Sequence, residues 1–177
     1  MLSPLRSRVL PLLLAGLAML GPFTINMYMP SFSAMRAELG VDDVQLQFTL
    51  SLYFMAFAFM SLWHGTLSDR FGRRLPIIIG LSVFTLASFG IALSNSIEVI
   101  YVFRILQGLS AGAGIVIGRA VIRDVYAGPA AQRAYATVIM VFSVAPAIGP
   151  VVGGLLHSEF GWRSCFIFLG GTSAALL

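Results

Sequence analysis

Apolar residues dominate six stretches of the chain, approximately 9–30, 46–64, 75–93, 97–117, 135–156 and 165–177, and polar or charged residues collect in the gaps between them. A helix rises about 1.5 Å per residue, so roughly twenty apolar residues cross the ~30 Å hydrocarbon core of a bilayer. The first five stretches meet that length. The sixth holds only 13 residues, about 20 Å of helix, and reads as a membrane helix cut short. The first stretch follows a basic start, MLSPLRSRVL, as a secretory signal would. Its apolar run is longer than a signal core and no Ala-x-Ala site closes it, so an uncleaved transmembrane helix is expected.

Composition agrees with that pattern. Of 177 residues, 58% are hydrophobic and 10% charged, and the mean hydropathy is +0.92, values that belong to a bilayer rather than to a soluble domain. The net charge of +4 is carried by arginine alone, since lysine is absent. Arg6, Arg8, Arg70, Arg73, Arg74, Arg119, Arg123 and Arg133 fall on one side of the predicted spans. Arg36 and Arg163 fall on the other side, with Glu38, Asp42, Asp43 and Glu159. The arginine-rich side, including the N-terminus, is therefore expected to face the cytoplasm. A basic excess distributed in this way reflects loop asymmetry, and no nucleic-acid partner is expected. Cys165 is a lone cysteine and His64 and His157 stand apart, so neither a disulfide nor a metal site is predicted. No nucleophile-and-base spacing or phosphate-binding glycine loop points to an enzyme or a cofactor.

Against this background GTLSDRFGRR, residues 65–74, is unusual. It places Asp69, Arg70, Arg73 and Arg74 within ten residues of a chain that has 11 basic and 7 acidic side chains in all. A turn at Gly72 in a positive-inside loop is the plain structural reading. Orientation needs no acid, however, and Asp69 flanked by guanidiniums suggests a fixed electrostatic latch. Gly65 would let another backbone come close.

Further positions stand out inside the spans. In YVFRILQGLSAGAGIVIGRAVIRD, Arg104 lies within an apolar helix towards its outer end, where the structural reading is a side chain that snorkels to the surface. A guanidinium within the membrane is costly and is by default functional. Gly108, Gly112, Gly114 and Gly118 make a small face for close helix packing. The stretch VAPAIGPVVGGLL puts Pro146, Gly149, Pro150, Gly153 and Gly154 in one span, which implies a bend and a smooth face for sliding contact. Near the end of the first span, GPFTINMYMPSF offers Asn26, which cannot carry a proton near neutral pH but can hydrogen-bond a substrate or a neighbouring helix.

These motifs resemble those of the major facilitator superfamily, in the same order and on the expected sides. GTLSDRFGRR is similar to the family's loop between helices 2 and 3, matching at Gly65, Asp69, Arg70, Gly72, Arg73 and Arg74. The resemblance implies a cytoplasmic latch in which Asp69 meets a helix of the second half and Arg73 pairs with Asp124 of VIRDVY. The R-x-x-Q-G spelling of Arg104, Gln107 and Gly108 resembles the helix 4 motif whose arginine is linked to proton coupling. GPVVGG, with Gly149, Pro150, Gly153 and Gly154, resembles the motif that goes with exporters and antiporters. GPFTINMYMPSF, through Pro22, Met27, Tyr28 and Pro30, is similar to the Bcr/CflA drug-resistance transporters, with Asn26 where that family commonly has an aspartate.

The resemblance implies an all-α membrane protein, the N-terminal helical bundle of a major facilitator fold with five full helices and a shortened sixth. It further implies proton-coupled efflux of drugs or small amphipathic compounds by alternating access, a path through Asn26, Tyr28, Arg104 and Gln107, and a place in the cell inner membrane. The expected partners are the lipid bilayer, a small-molecule substrate, protons and a C-terminal half of the same transporter. The alternative is a non-transporting fragment or half-transporter that acts as an assembly subunit.

Overall fold

A computed structural model describes residues 4–177, with side chains from Val9 onward; the Arg6 and Arg8 side chains lie outside the described residues. All regular structure described is helical. The elements are α1 (Pro4–Asn26), a 3-10 turn (Met29–Ser31), α2 (Phe32–Leu39), α3 (Asp43–Phe71), α4 (Arg74–Ala92), α5 (Ile97–Val125), α6 (Gly128–Phe160) and α7 (Arg163–Ala175). Five of the helical segments, beginning at Val9, Asp43, Arg74, Ile97 and Gly128, are long and apolar enough to cross a membrane.

The helices outrun the apolar stretches at several ends. Hydropathy marks only the part in hydrocarbon, whereas a helix continues until its backbone is capped or turned. The second expected span, 46–64, is a helix from Asp43 to Phe71. Asp42 starts it, its carboxylate accepting from the Gln45 N–H at 2.7 Å while the Gln45 side chain accepts from the Asp42 N–H at 3.0 Å. Gly72, at φ +79°, ends it in a conformation that side chains disfavour. Most of GTLSDRFGRR is thus the last turns of α3 rather than a loop. The fourth span runs on past 117 to Val125, and the fifth extends from 135–156 to Gly128–Phe160. At the other end of the bundle the expectation for 9–30 is corrected inwards: α1 stops at Asn26, and the chain turns through a 3-10 segment containing Pro30 into the short helix α2.

Helix α5 lies at the centre, packed against α3, α4 and α1; α1 also packs on α6, and α4 on α7. Small residues make these approaches possible. A Cβ on Gly108 would fall 2.3 Å from the Tyr53 carbonyl oxygen of α3, and one on Gly114 2.5 Å from the Leu17 carbonyl oxygen of α1. The side chains between them, including Leu17, Leu20, Tyr53, Phe84, Ile100 and Phe166, form one continuous core.

Burial is uneven across the bundle. The apolar windows of α3 and α6 are only 22% and 17% buried, against 50% for α5. At the end away from the arginine cluster, Arg163 pairs with Glu38 and donates to the Ser94 carbonyl at 3.1 Å and the Asn95 side chain at 2.9 Å, while Trp162 Nε1 donates to Glu38 at 2.7 Å. This group ties the starts of α7 and α5 to α2 and to the end of α4.

Candidate functional site

Arg104 sits on α5 and is fully buried, so its side chain does not snorkel to the surface. The i,i+3 spacing puts Gln107 on the same helix face, and Nη1 donates to Gln107 Oε1 at 3.2 Å and to the Thr24 carbonyl at 3.3 Å. Its Cζ lies 3.8 Å from the centre of the Tyr28 ring and 5.0 Å from that of Phe166. Aromatic faces carry negative charge density and offset part of the cost of burying a cation. Nε and Nη2 have no hydrogen-bond partner, and no carboxylate among the described residues pairs with this guanidinium.

The neighbours of Arg104 are held in turn. Thr49 has one proton and gives it to the Leu46 carbonyl at 2.5 Å, so in the 2.9 Å contact between Tyr28 and Thr49 the tyrosine donates. Gln107 Nε2 donates to Ser88 Oγ at 2.8 Å, and Ser88 passes its own proton to the Phe84 carbonyl at 2.7 Å. A polar network therefore links α1, α3, α4 and α5 around a single fixed positive charge, with Phe166 of α7 closing one side. Tyr28 and Gln107 are as fully buried as Arg104. Thr24, Thr49, Ser88 and Phe166 have no motif of their own. Thr24 is in the last turn of α1 and Tyr28 follows in the turn after Asn26, so helix spacing does not by itself pair them.

Asn26 is on a different side of α1. Its Nδ2 donates to the Pro22 carbonyl at 2.8 Å, and its Cβ faces Gly149 of α6. A Cβ added at Gly149 would come within 2.8 Å of it, and one at Gly153 within 1.8 Å of the Met27 carbonyl oxygen. Pro150 and Pro146 are exposed on α6, and nothing lies within 4 Å of a Cβ built on Gly154. The structure thus separates Asn26 from Tyr28, Arg104 and Gln107, and joins it to the GPVVGG face.

At the arginine-rich end Arg73 is the hub. Its Nε donates to Asp124 Oδ2 at 2.8 Å, and Nη1 to Asp69 Oδ1 at 2.5 Å and Ser68 Oγ at 2.6 Å. The two carboxylates push the Arg73 guanidinium further above its usual range. Asp69, 64% exposed, keeps free acceptor capacity, Arg70 and Arg74 are exposed, and nothing lies within 4 Å of a Cβ at Gly65.

A family model described as Major Facilitator Superfamily matches residues 14–177. The chain belongs to that superfamily. It is 32% identical over 158 residues to multidrug resistance protein D of Escherichia coli, covering 89% of this chain and 40% of that protein. It is 34% identical over 168 residues to a bicyclomycin resistance protein homolog of Haemophilus influenzae, with 94% and 42% covered. With a chloramphenicol resistance protein of Pseudomonas aeruginosa it shares 37% over 160 residues, with 90% and 38% covered. The chain spans about 40% of the length of these relatives. Drug-resistance relatives accord with the Bcr/CflA resemblance read from GPFTINMYMPSF. Within this superfamily member, Arg104 and Gln107 form the buried polar network and Arg73 joins the ends of α3 and α5.

Proposed function

We propose that the chain is the N-terminal bundle of a secondary transporter that exports drugs or small amphipathic compounds in exchange for protons. The observation that carries this reading is Arg104. A guanidinium with two unpartnered nitrogens, buried in a membrane bundle with no carboxylate paired to it among the described residues, is a costly arrangement that in transporters marks a substrate or ion path. The resistance-protein relatives support drugs as the cargo class. Arginine keeps its charge at any working pH, so Arg104 acts by setting the field in which a nearby acid gains or loses protons. We assign that acid to a C-terminal half, which would also cover the exposed faces of α3 and α6.

Alternating access follows as the mechanism. In one state the acceptor-rich Asp69 docks on the second half at the arginine-rich end, which we place in the cytoplasm of a cell whose inner membrane holds the protein. Arg73 orients Asp69 and ties α4 to Asp124 of α5. In the other state that contact opens while the GPVVGG face of α6, smooth at Gly149 and Gly153, keeps its hold on α1. A half-transporter that assembles with a second copy is the other reading, favoured by the same exposed faces of α3 and α6.

The test is a drug-efflux assay in a susceptible bacterial host expressing the complete reading frame that contains this chain. Export of a lipophilic substrate that collapses on addition of a protonophore is expected. Arg104→Ala should abolish it, and Asp69→Asn should reduce it at least ~10-fold with insertion unchanged, the loss of about 1.4 kcal/mol of coupling between the halves. Full export by both variants overturns the assignment, and export only by a purified dimer of this chain establishes the half-transporter.

A further inference from the structure

Helices α3 and α4 both rest on α5 at the arginine-rich end and leave a groove of about 530 Å³ between them. Its walls are largely apolar, with Met60, Leu67 and Phe71 from α3, Ile79 and Val83 from α4 and Leu106 on the α5 floor, and the buried His64 and Ser110 add its polar atoms. The volume falls in the range of roughly 300–1,000 Å³ that holds small ligands. With His64 included, the α3 positions Met60, His64, Leu67 and Phe71 recur three and four residues apart and so form one face. Gly65 and Asp69 lie on another, which separates the groove from the acid assigned to the latch.

Two arginines flank the residues that line one end of the groove. Phe71 lines it, and the Arg70 guanidinium stands over the Phe71 ring with Cζ 5.4 Å from its centre. Arg74 immediately precedes Leu75 and Pro76, which also line the groove. Arg73 is already held by Asp69 and Asp124, whereas Arg70 and Arg74 are exposed and in no ion pair among the described residues. Two uncommitted guanidiniums at the end of an apolar channel match the two parts of one class of molecule, an anionic phosphate on a hydrocarbon chain. The same charges repel a lipophilic cation.

We propose that this groove binds an anionic phospholipid of the adjacent leaflet, with an acyl chain between α3 and α4 and its phosphate held by Arg70 and Arg74. Such a lipid fills the space between two helices that touch little and places a negative charge beside the Arg73 hub. The site stands apart from Arg104 and does not depend on the transport reading.

Native mass spectrometry of the purified protein, delipidated and then given dioleoylphosphatidylglycerol or dioleoylphosphatidylcholine, tests it. The two probes share their chains and differ in net charge. Phosphatidylglycerol should be retained in preference. Arg70→Gln with Arg74→Gln should lower its retention about five-fold for each arginine and leave phosphatidylcholine unchanged. Ile79→Trp, which fills the groove, should lower retention of both lipids. Arg133→Gln removes a charge from the same end of the bundle and should change neither. Equal retention of the two lipids by the native protein overturns the proposal, as does an Arg133→Gln effect as large as that at Arg70 and Arg74. Unaltered binding in Ile79→Trp overturns the acyl-chain site. Displacement of phosphatidylglycerol by tetraphenylphosphonium would assign the groove to cationic cargo instead.

Discussion

Gly153 of α6 lies against the Met27 carbonyl of α1 so closely that a methyl group there would sit 1.8 Å from the oxygen. One turn earlier Gly149 meets Asn26 in the same way, so two glycines of one motif set the distance between two membrane helices. A methyl group on Gly154, beside Gly153 in sequence, would have nothing within 4 Å.

That contrast separates packing from conformational freedom. Gly153→Ala forces α1 and α6 apart and should lower stability by about 1–3 kcal/mol, read as a drop in the midpoint of thermal unfolding in detergent. Gly154→Ala should leave stability unchanged or raise it by up to about 1 kcal/mol, because alanine favours helix. Equal effects of the two substitutions would show that the α1–α6 contact is not set by this glycine.

Tyr28 supports Arg104 in two ways, through the ring beneath the guanidinium and through the hydroxyl bonded to Thr49. The two are separable. Tyr28→Phe keeps the ring and should cost about 1 kcal/mol for the lost hydrogen bond. Tyr28→Leu removes the cation–π contact as well and should cost a further ~2 kcal/mol, since the cation is desolvated. Combining Arg104→Met with Tyr28→Leu should recover much of that second loss, because no buried charge is then left unsupported. Additive losses in the double variant would show that the ring does not act through Arg104.

Asn26 gives a prediction in pH. Its amide nitrogen donates to the Pro22 carbonyl, and only a protonated acid can replace that donor. In Asn26→Asp the native contact can form only with the carboxyl protonated, so it is fully available below the ordinary aspartate value of about 3.9 and is lost as the carboxyl ionises above it. Thermal stability of the variant should therefore fall as pH rises above that value, while the native protein, with no titrating group at this position, stays level by comparison. A flat profile in both would show that position 26 faces water rather than the α1–α6 contact.

Some of this was legible in the chain before any coordinates. Arg104 and Gln107 share a helix face by their spacing, and the helical class and the five membrane spans follow from runs of about twenty apolar residues, because a bilayer imposes that length. The helix ends were not legible. Hydropathy falls where a helix leaves hydrocarbon, whereas α3 continues to Phe71 and stops only where Gly72 takes a positive φ. The turn at the end of α1 was not legible either. Asn26 and Tyr28, two residues apart, face different neighbours, one against Gly149 and the other beneath Arg104.

The sequence by itself determined the class of protein, the number of apolar stretches and the side on which arginine collects, because each depends on local composition and on the solvent. Only the tertiary structure decided what lies beside Arg104. Thr24, Thr49, Ser88 and Phe166 come from four other helices and carry no motif, and they meet around one guanidinium because close packing at Gly108 and Gly114 brings α3 and α1 onto α5. Contacts of that kind depend on distances between helices, which residue order along one chain does not encode locally.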